Sequence, residues 1–523
     1  MSARRKSLLR STSGAVAPTV ALSLFGLIAA GGLAFDYARM ASLDSELQTA
    51  ADQAALAAAT QLDGKSGAQT RATNAVNNLI ENDTRFANDS CGSAVKVGGT
   101  VPTGCDSGGT LTFYQDKAKA TLATSDQNSN FVEVKVNSRT AYFALTPVVR
   151  AFSSGALSAK AFAGVGAAIC KVPPVMICNP DEPTNNSNEN LAFNSTRGVG
   201  LKLITGDADA AGNFGWLEAT FKNGANGLAA ALGYNEIQTD CQAMDGVTTK
   251  TGMSTSVLDS LNTRFDVYAN GSTCPSQYGG TCSPSSNTRK DLVCDSDNAS
   301  TCKNANSFTV SSNPYRPSSP APLTSGYPDV MGYPRDLCHA VAQGSQTCGI
   351  VGSGTWDRDA YFRVNYGWTT QADWMAGTGL GSSATRYEVY NWEVAHPSVV
   401  VASVARGIGV AQPTGTGKET AFGSPANGIA GITPSSAGVD RRRISVAVLN
   451  CYALKLHGKS SGIDPVKWLD VFLVEPSIAR GNGKNAYTDK KEVYVEVIGD
   501  TGTGLNGASN PQVIERSVPY LIE

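Results

Sequence analysis

The clearest pattern is a long apolar stretch near the N-terminus. Residues 14–35 run for 22 positions without a charged side chain. A helix of that length rises about 33 Å, which is enough to cross a hydrocarbon core of roughly 30 Å. We therefore predict a transmembrane helix over residues 14–35.

The apolar spacing continues beyond this span as a stripe formed by Met40, Leu43, Leu47, Ala50 and Ala54. Residues three and four positions apart lie on one face of a helix, and no glycine or proline interrupts residues 33–62. The pattern predicts that the span continues outward as one long helix. We predict that the stripe is an assembly surface for neighbouring helices. The alternative, packing of the stripe on the chain's own α+β unit, stays open.

Downstream, apolar and polar residues alternate over 110–114 and 131–136, which is typical of half-buried strands. These strands predict a small α+β unit over residues 36–168. A larger domain is predicted over 169–523, where short valine-rich segments indicate strands. Its predicted elements are a helix at 254–265, strands at 444–449, 468–474 and 492–498, and loops at 311–328 and 407–438.

Charge sets the predicted orientation. Arg4, Arg5, Lys6 and Arg10 precede the span, and no comparable basic cluster follows it. The positive-inside rule therefore makes 1–13 a cytoplasmic basic segment and exports everything after the span. A cleaved signal peptide is the alternative, but the apolar run is longer than the usual core of such a peptide.

Overall composition agrees with export. The 42 basic and 44 acidic residues nearly cancel, so no net field recruits nucleic acid. Charged residues make up 16% of the chain, below the roughly 25% of a typical soluble domain. The predicted fold class is α+β: an N-terminal transmembrane helix continuing into a long helix, a small α+β unit, and a larger disulfide-stapled, strand-containing exported domain.

All twelve cysteines follow the span, where an oxidising compartment allows them to pair. Pairing of sequence neighbours is the simplest of many connectivities, and it leaves one long-range pair. The candidate pairs are Cys91 with Cys105, Cys170 with Cys178, Cys274 with Cys282, Cys294 with Cys302, Cys338 with Cys348, and Cys241 with Cys451.

No metal site is predicted. Zinc sites use closely spaced cysteine pairs, which the sequence lacks, and His339, His396 and His457 are far apart. The acidic loops around Asp207 and Asp295 lack the terminal glutamate of a calcium-binding loop, so we interpret them as solvated turns.

No catalytic or cofactor-binding residue is predicted either, and we expect the chain not to be an enzyme. Residues 458–462 match the G-x-S-x-G pattern, but a nucleophile elbow needs a strand before it and a helix after it. Here Asp464 and Pro465 follow at once and indicate a turn.

The residues at the end of the span carry a family resemblance. Asp36, Tyr37 and Arg39 follow the charge-free span, and residues 48–57 then read QTAADQAALA. In this order and spacing they resemble the N-terminal domain of the TadE/TadG-like family of the bacterial tight adherence (Tad, or Flp) pilus machinery. The segments CKVPPVMICNP from Cys170 and RRRISVAVLNC ending at Cys451 are similar to TadG-related proteins.

This resemblance implies a membrane-anchored, non-catalytic component of Tad/Flp pilus assembly, acting through its exported domain in pilus biogenesis and surface adhesion, without a cofactor. The implied partners are the membrane and other pilus-assembly proteins, reached through the N-terminal helix in a homo- or hetero-oligomer. The implied location is the bacterial inner membrane, single-pass, with the N-terminus cytoplasmic and the bulk periplasmic. The alternative is an exported disulfide-rich binding module or adhesin unrelated to pili.

Overall fold

The computed structural model describes residues 16–62, 66–79, 83–97, 101–145, 154–169, 173–194, 196–205, 209–218, 224–235, 242–243, 246–250, 255–268, 273–294, 308–311, 313–397, 399, 414–415, 418–420, 433–434, 440–481, 486–501 and 515–522. The chain divides into two compact units. The first comprises Met1–Gly166 and Ser517–Glu523, and the second comprises Ala167–Arg516.

The first unit begins with a single helix of 44 residues, α1 (Val16–Ala59). Among the described residues, α1 is the one helix long and apolar enough to cross a membrane. The prediction of one continuous helix through the span and the stripe is confirmed. The other elements are α2 (Ala68–Leu79), β1 (Thr110–Tyr114), β2 (Phe131–Lys135), β3 (Arg139–Tyr142), β4 (Ser154–Leu157), β5 (Lys160–Ile169) and β17 (Glu515–Leu521).

The sheet of this unit has the strand order β1-β2-β5-β17, and its pairs β1–β2 and β2–β5 are antiparallel. The second half of α1, from Leu43 to Ala59, packs in one hydrophobic core with Val132 and Val134, which are alternate residues of β2. Beside the sheet, β3 and β4 form an antiparallel pair. The last strand, β17, comes from the far end of the sequence, after the whole second unit.

The second unit is built on a six-stranded mixed sheet with the order β7-β16-β15-β14-β6-β8, in which only β14 and β6 run parallel among the described pairs. Its strands are β6 (Val175–Cys178), β7 (Gly200–Ile204), β8 (Phe214–Trp216), β9 (Gln242–Ala243), β10 (Leu292–Cys294), β11 (Phe308–Val310), β12 (Thr414–Gly415), β13 (Lys418–Thr420), β14 (Arg443–Leu449), β15 (Lys467–Leu473) and β16 (Glu492–Asp500). Its helices are α3 (Gly224–Gly233), α4 (Thr255–Asn262), α5 (Leu337–Ala340), α6 (Arg358–Tyr366), α7 (Gln371–Thr378) and α8 (Arg386–Ala395).

Both faces of this sheet are covered. On one face, Val471 of β15 and Val495 of β16 pack in a core with α3 and α4. On the other face, the adjacent residues Phe472 and Tyr494 pack in an aromatic core with α6 and α8. Successive side chains of a strand alternate between its faces, so each central strand serves both cores. The predicted strands at 444–449, 468–474 and 492–498 correspond to these central strands.

Two boundaries differ from prediction. The first unit ends at Gly166 rather than residue 168, and residues 517–523, assigned from the sequence to the exported domain, belong to the first unit. Within 407–438, predicted as a loop, the structure contains β12 and β13, which are too short to show an alternating pattern. The predicted cytoplasmic segment 1–13 lies outside the described residues.

The disulfides follow neighbour pairing in part. Cys91–Cys105, Cys274–Cys282 and Cys338–Cys348 are bonded as that rule predicts. Cys178 instead bonds Cys451, so its predicted pairing with Cys170 and the pairing of Cys451 with Cys241 are wrong. The reason is sheet topology: β6 and β14 are parallel neighbours with Leu449 opposite Cys178, which brings their C-terminal ends together. Cys170, Cys241 and Cys302 lie outside the described residues.

Removal of the Cys178–Cys451 bond is expected to destabilise the second unit strongly. The bond closes a separation of 273 residues, against 8 for Cys274–Cys282. In the chain-entropy description this gives about 5.6 kcal/mol for the long loop and about 2.5 kcal/mol for the short one. Denaturant unfolding of the Cys178→Ala/Cys451→Ala variant measures the first value, and the Cys274→Ala/Cys282→Ala variant provides the matched control. Equal losses in the two variants would contradict the expectation.

Candidate functional site

The predicted assembly stripe lies inside the first unit. Leu43, Leu47, Ala50 and Ala54 are at most 3% exposed and pack in the core with β2, while Met40 lies partly buried at its edge. The alternative interpretation, packing on the chain's own α+β unit, describes this arrangement. In this structure the stripe is therefore a core face and is not available to neighbouring helices.

The family-like residues just after the span attach the unit to the helix. Asp36 is buried, and its carboxylate accepts hydrogen bonds from the backbone amides of Ala144 and Leu145, both at 3.0 Å. The two amide donors stabilise the negative charge of the buried carboxylate, and the carboxylate in turn provides the hydrogen-bond acceptors that these two amides need. Asp36 thereby fixes the segment after β3 against α1.

Arg39 and Glu46 make a second attachment further along α1. Arg39 donates from Nε to the carbonyl oxygen of Phe86 at 3.1 Å. Glu46 accepts from the Thr84 hydroxyl at 2.7 Å and from the Arg85 amide at 3.0 Å. The polar residues of α1 thus hold two separate loops of the first unit, while its apolar stripe packs on the sheet.

The described residues leave most of the apolar half of α1 exposed. Large side chains along the span, among them Leu24, Leu27 and Phe35, are more than half exposed. In water such a surface would be strongly unfavourable, whereas a bilayer accommodates it. One helix therefore has a first half suited to lipid and a second half buried in protein.

In the second unit the most concentrated polar cluster surrounds Glu393 of α8. Its carboxylate is fully buried and accepts hydrogen bonds from Tyr361 at 2.6 Å, Tyr366 at 2.8 Å and Tyr333 at 2.5 Å. Arg289 lies 3.2 Å from the same carboxylate. Burial and the nearby Glu393 charge raise the pKa of all three tyrosines well above their usual value, so each hydroxyl remains a donor. With its oxygens occupied and no access to solvent, this cluster connects α6 and α8.

A second buried group joins Arg386 at the start of α8 to Asp336 and to Glu496 of β16. Glu496 also accepts from the backbone amide of Arg386 at 2.9 Å, and a carboxylate at a helix N-terminus is favourable. Neither buried group appears among the residues singled out from the sequence. The available signal was an acidic residue, Glu393, placed directly between the two apolar residues Trp392 and Val394.

Among the described residues, Cys338, His339 and Cys348 come close enough to hold a metal ion together. Their atoms are already engaged, however: the cysteines form a disulfide, and the two ring nitrogens of His339 lie 3.0 Å from the Tyr494 hydroxyl and 2.8 Å from the Gly349 carbonyl oxygen. The other two histidines lie elsewhere. His457 is largely exposed, 3.6 Å from Asp209, and His396 bonds the carbonyl of Trp392.

His339 predicts a pH dependence of stability. Burial lowers its pKa from 6.5 to about 4, so the ring is neutral in the fold while the unfolded chain takes up a proton as the pH falls below 6.5. The free energy of unfolding that this residue contributes is therefore complete above pH 6.5 and lost as the pH falls toward 4. Each unit of pKa is about 1.4 kcal/mol, which gives a loss of about 2 kcal/mol between pH 7 and pH 5.

The measurement is denaturant unfolding of the wild type and a His339→Gln variant at both pH values. The stability difference between the two proteins is expected to shrink by about that amount at pH 5. A difference that stays constant would show that His339 does not titrate in this range.

The G-x-S-x-G segment lies in the loop between β14 and β15, without the strand and helix that a nucleophile elbow needs on either side. Its Ser460 amide donates to the Thr249 hydroxyl at 3.0 Å, and Lys459 pairs with Glu218. These contacts connect this loop to Glu218 just after β8 and to Thr249 after β9.

Comparison with known proteins gives one match. Residues 14–61 match the Tad family, described as Flp pilus-assembly TadE/G-like. A search of curated proteins and a search of solved structures each find no match. The matched residues cover the apolar half of α1, the attachment residues Asp36, Arg39 and Glu46, and the buried stripe. The TadE/TadG-like resemblance inferred from the sequence is therefore confirmed for this N-terminal segment.

Proposed function

We propose that this protein is a membrane-anchored, non-catalytic component of a Tad/Flp pilus assembly system. The observation that carries the proposal is the family match over residues 14–61, which falls on a helix that is apolar and exposed in its first half and buried in a folded unit in its second. The match supports a pilus-related role.

We further propose that the N-terminus is cytoplasmic, that the span crosses the inner membrane once, and that both folded units lie in the periplasm. The basic residues before the span support this orientation through the positive-inside rule. The disulfides of both units support it as well, because they form in an oxidising compartment.

A scaffold or adhesion role fits the second unit better than a catalytic one. Its buried carboxylates Glu393, Glu496 and Asp336 each bond to arginine or tyrosine side chains beneath the surface. Groups arranged in this way stabilise a fold. We propose that this unit presents a rigid outer surface to other components of the machinery.

Gene deletion with complementation tests the proposal. Deletion is expected to abolish surface filaments, counted by electron microscopy, and to reduce surface attachment, and the intact gene is expected to restore both. Unchanged filaments with reduced attachment would favour an exported adhesin unrelated to pili. Unchanged filaments and attachment would overturn the pilus role.

A pair of complementing variants tests whether anchoring is required. Leu24→Arg/Leu27→Arg places two charges in the span at about 3 kcal/mol each, whereas Leu24→Ile/Leu27→Ile keeps it apolar. Membrane fractionation followed by filament counts is expected to show loss of both the membrane-bound protein and the filaments for the arginine variant alone. Normal filaments from released protein would contradict an anchored role.

A further inference from the structure

One loop of the first unit reaches back along α1 to the depth of the predicted span. A Cβ atom added to Gly32 would lie 2.9 Å from the Cβ of Leu145, so the loop contacts the helix directly at a position where a larger residue would clash. Gly32 lies within the charge-free stretch 14–35. Leu145 is therefore level with residues that the span predicts to be in lipid.

The position of this loop is fixed by hydrogen bonds. Asp36 lies four residues after Gly32, about 6 Å further along the helix, and accepts the amides of both Ala144 and Leu145. The preceding strand adds another connection, because the Tyr142 amide donates to the Asn88 side chain and the Asn88 side chain donates to the Tyr142 carbonyl. The loop is thus bonded to α1 through Asp36, and the strand before it is bonded to Asn88.

Exposed apolar side chains gather at this level. Leu145 is 43% exposed and Tyr142 is 52% exposed. Tyr37, which directly follows Asp36 on α1, is 77% exposed. Phe86, whose carbonyl bonds Arg39, is 37% exposed. Tyrosine and other aromatic side chains are favourable at the boundary between the hydrocarbon core and the headgroups. The four side chains come from three separate segments of the chain.

We propose that this surface, formed by Tyr37, Phe86, Tyr142 and Leu145, is a second membrane contact of the first unit. Leu145 enters the acyl-chain boundary beside the span, and the aromatic side chains lie among the phospholipid headgroups. The inference rests on the proposed membrane anchoring of α1. It adds a monotopic contact to a single-pass anchor.

Continuity with the span identifies lipid as the occupant. Leu145 packs on Gly32, and the next residue of the span, Leu33, is exposed. The exposed part of Leu145 is therefore in the same environment as Leu33, which is lipid if the span crosses the membrane. Transfer of the exposed part of the leucine side chain into hydrocarbon is favourable, and the loop that carries it is already ordered by Asp36. A single transmembrane helix allows the first unit to tilt relative to the bilayer. The second contact, through the surface around Leu145, restricts this tilt.

Site-specific photo-crosslinking in phospholipid vesicles tests the proposal. A benzophenone amino acid is placed at Leu145, at Leu24 within the span, or at Gln53, which is exposed on α1 about 31 Å beyond Gly32. Lipid adducts, detected by mass spectrometry of the full-length protein, are expected at Leu145 and Leu24 and not at Gln53. Adducts at Leu24 alone would overturn the second contact and keep the anchor. Adducts at neither position would overturn the anchor. A protein adduct at Leu145 in place of lipid would assign this surface to a partner.

A matched pair of glycine variants tests the geometry. Gly32→Leu inserts a side chain where Leu145 packs, whereas Gly31 has open space around the position of an added Cβ. With the probe at Leu145, the yield of lipid adduct is expected to fall several-fold in Gly32→Leu and to stay unchanged in Gly31→Leu. Equal yields would show that packing on Gly32 does not set the depth of the loop.

Discussion

Glutamate in place of Ala54 is expected to unfold the first unit. Ala54 is 1% exposed in the core between α1 and the sheet. A carboxylate buried there becomes protonated, and a pKa raised by 3–5 units corresponds to about 4–7 kcal/mol. That penalty is comparable to the whole stability of a small domain, about 5–15 kcal/mol, before overpacking is included.

The neighbouring position supplies the control. Gln53 is exposed on the same turn of α1, so Gln53→Glu adds the same charge without burying it. Limited proteolysis and thermal unfolding of membrane-extracted protein are expected to show a destabilised first unit for Ala54→Glu and a wild-type profile for Gln53→Glu. If Ala54→Glu folds normally and instead loses contacts with other proteins, the stripe is an assembly surface after all.

Glu393→Ala is expected to cost the second unit about 3–5 kcal/mol, because removal of one partner leaves a buried opposite charge without compensation. In this variant Arg289 keeps its hydrogen bond to Asn365 but loses its ion pair with the Glu393 carboxylate. The three buried tyrosine hydroxyls also lose the carboxylate as their hydrogen-bond acceptor. Denaturant unfolding followed by tryptophan fluorescence measures the loss, since Trp392 lies beside the substituted residue.

Asp500→Ala is the matched control for this prediction. Asp500 pairs with Lys467 at 2.9 Å with half of its side chain exposed, and surface pairs contribute at most about 1 kcal/mol. A loss for Glu393→Ala no larger than that for Asp500→Ala would mean that the buried cluster contributes little to stability.

The pattern of apolar, polar and charged residues along the chain predicted individual helices and strands. The absence of charge over 14–35 and the three-four spacing after it predicted α1, and alternation predicted β1 and β2. Short valine-rich segments predicted the central strands β14, β15 and β16. The partners of these elements were not readable. A stripe such as Leu43 and Leu47 looks the same in sequence whether it meets the chain's own sheet or another protein.

Long-range contacts explain the other differences. Cys178 finds Cys451 because β6 lies beside β14, and nothing near either cysteine in sequence encodes that adjacency. The Glu393 cluster likewise assembles from Arg289, Tyr333 and Tyr361, which come from separate segments. The role of Asp36 required the position of a loop more than 100 residues away, as the separation of 109 positions from Leu145 shows.

The position of β17 makes the first unit depend on the order in which the chain is synthesised. Its strand lies after the whole second unit, yet it completes the sheet beside β5, where the Ile522 amide donates to the Phe162 carbonyl at 2.8 Å. During synthesis, β5 therefore has an uncovered edge until residues beyond 516 have been added, and such an edge is a template for incorrect pairing. A nonsense mutation anywhere in the second unit would consequently also leave the first unit with an incomplete sheet.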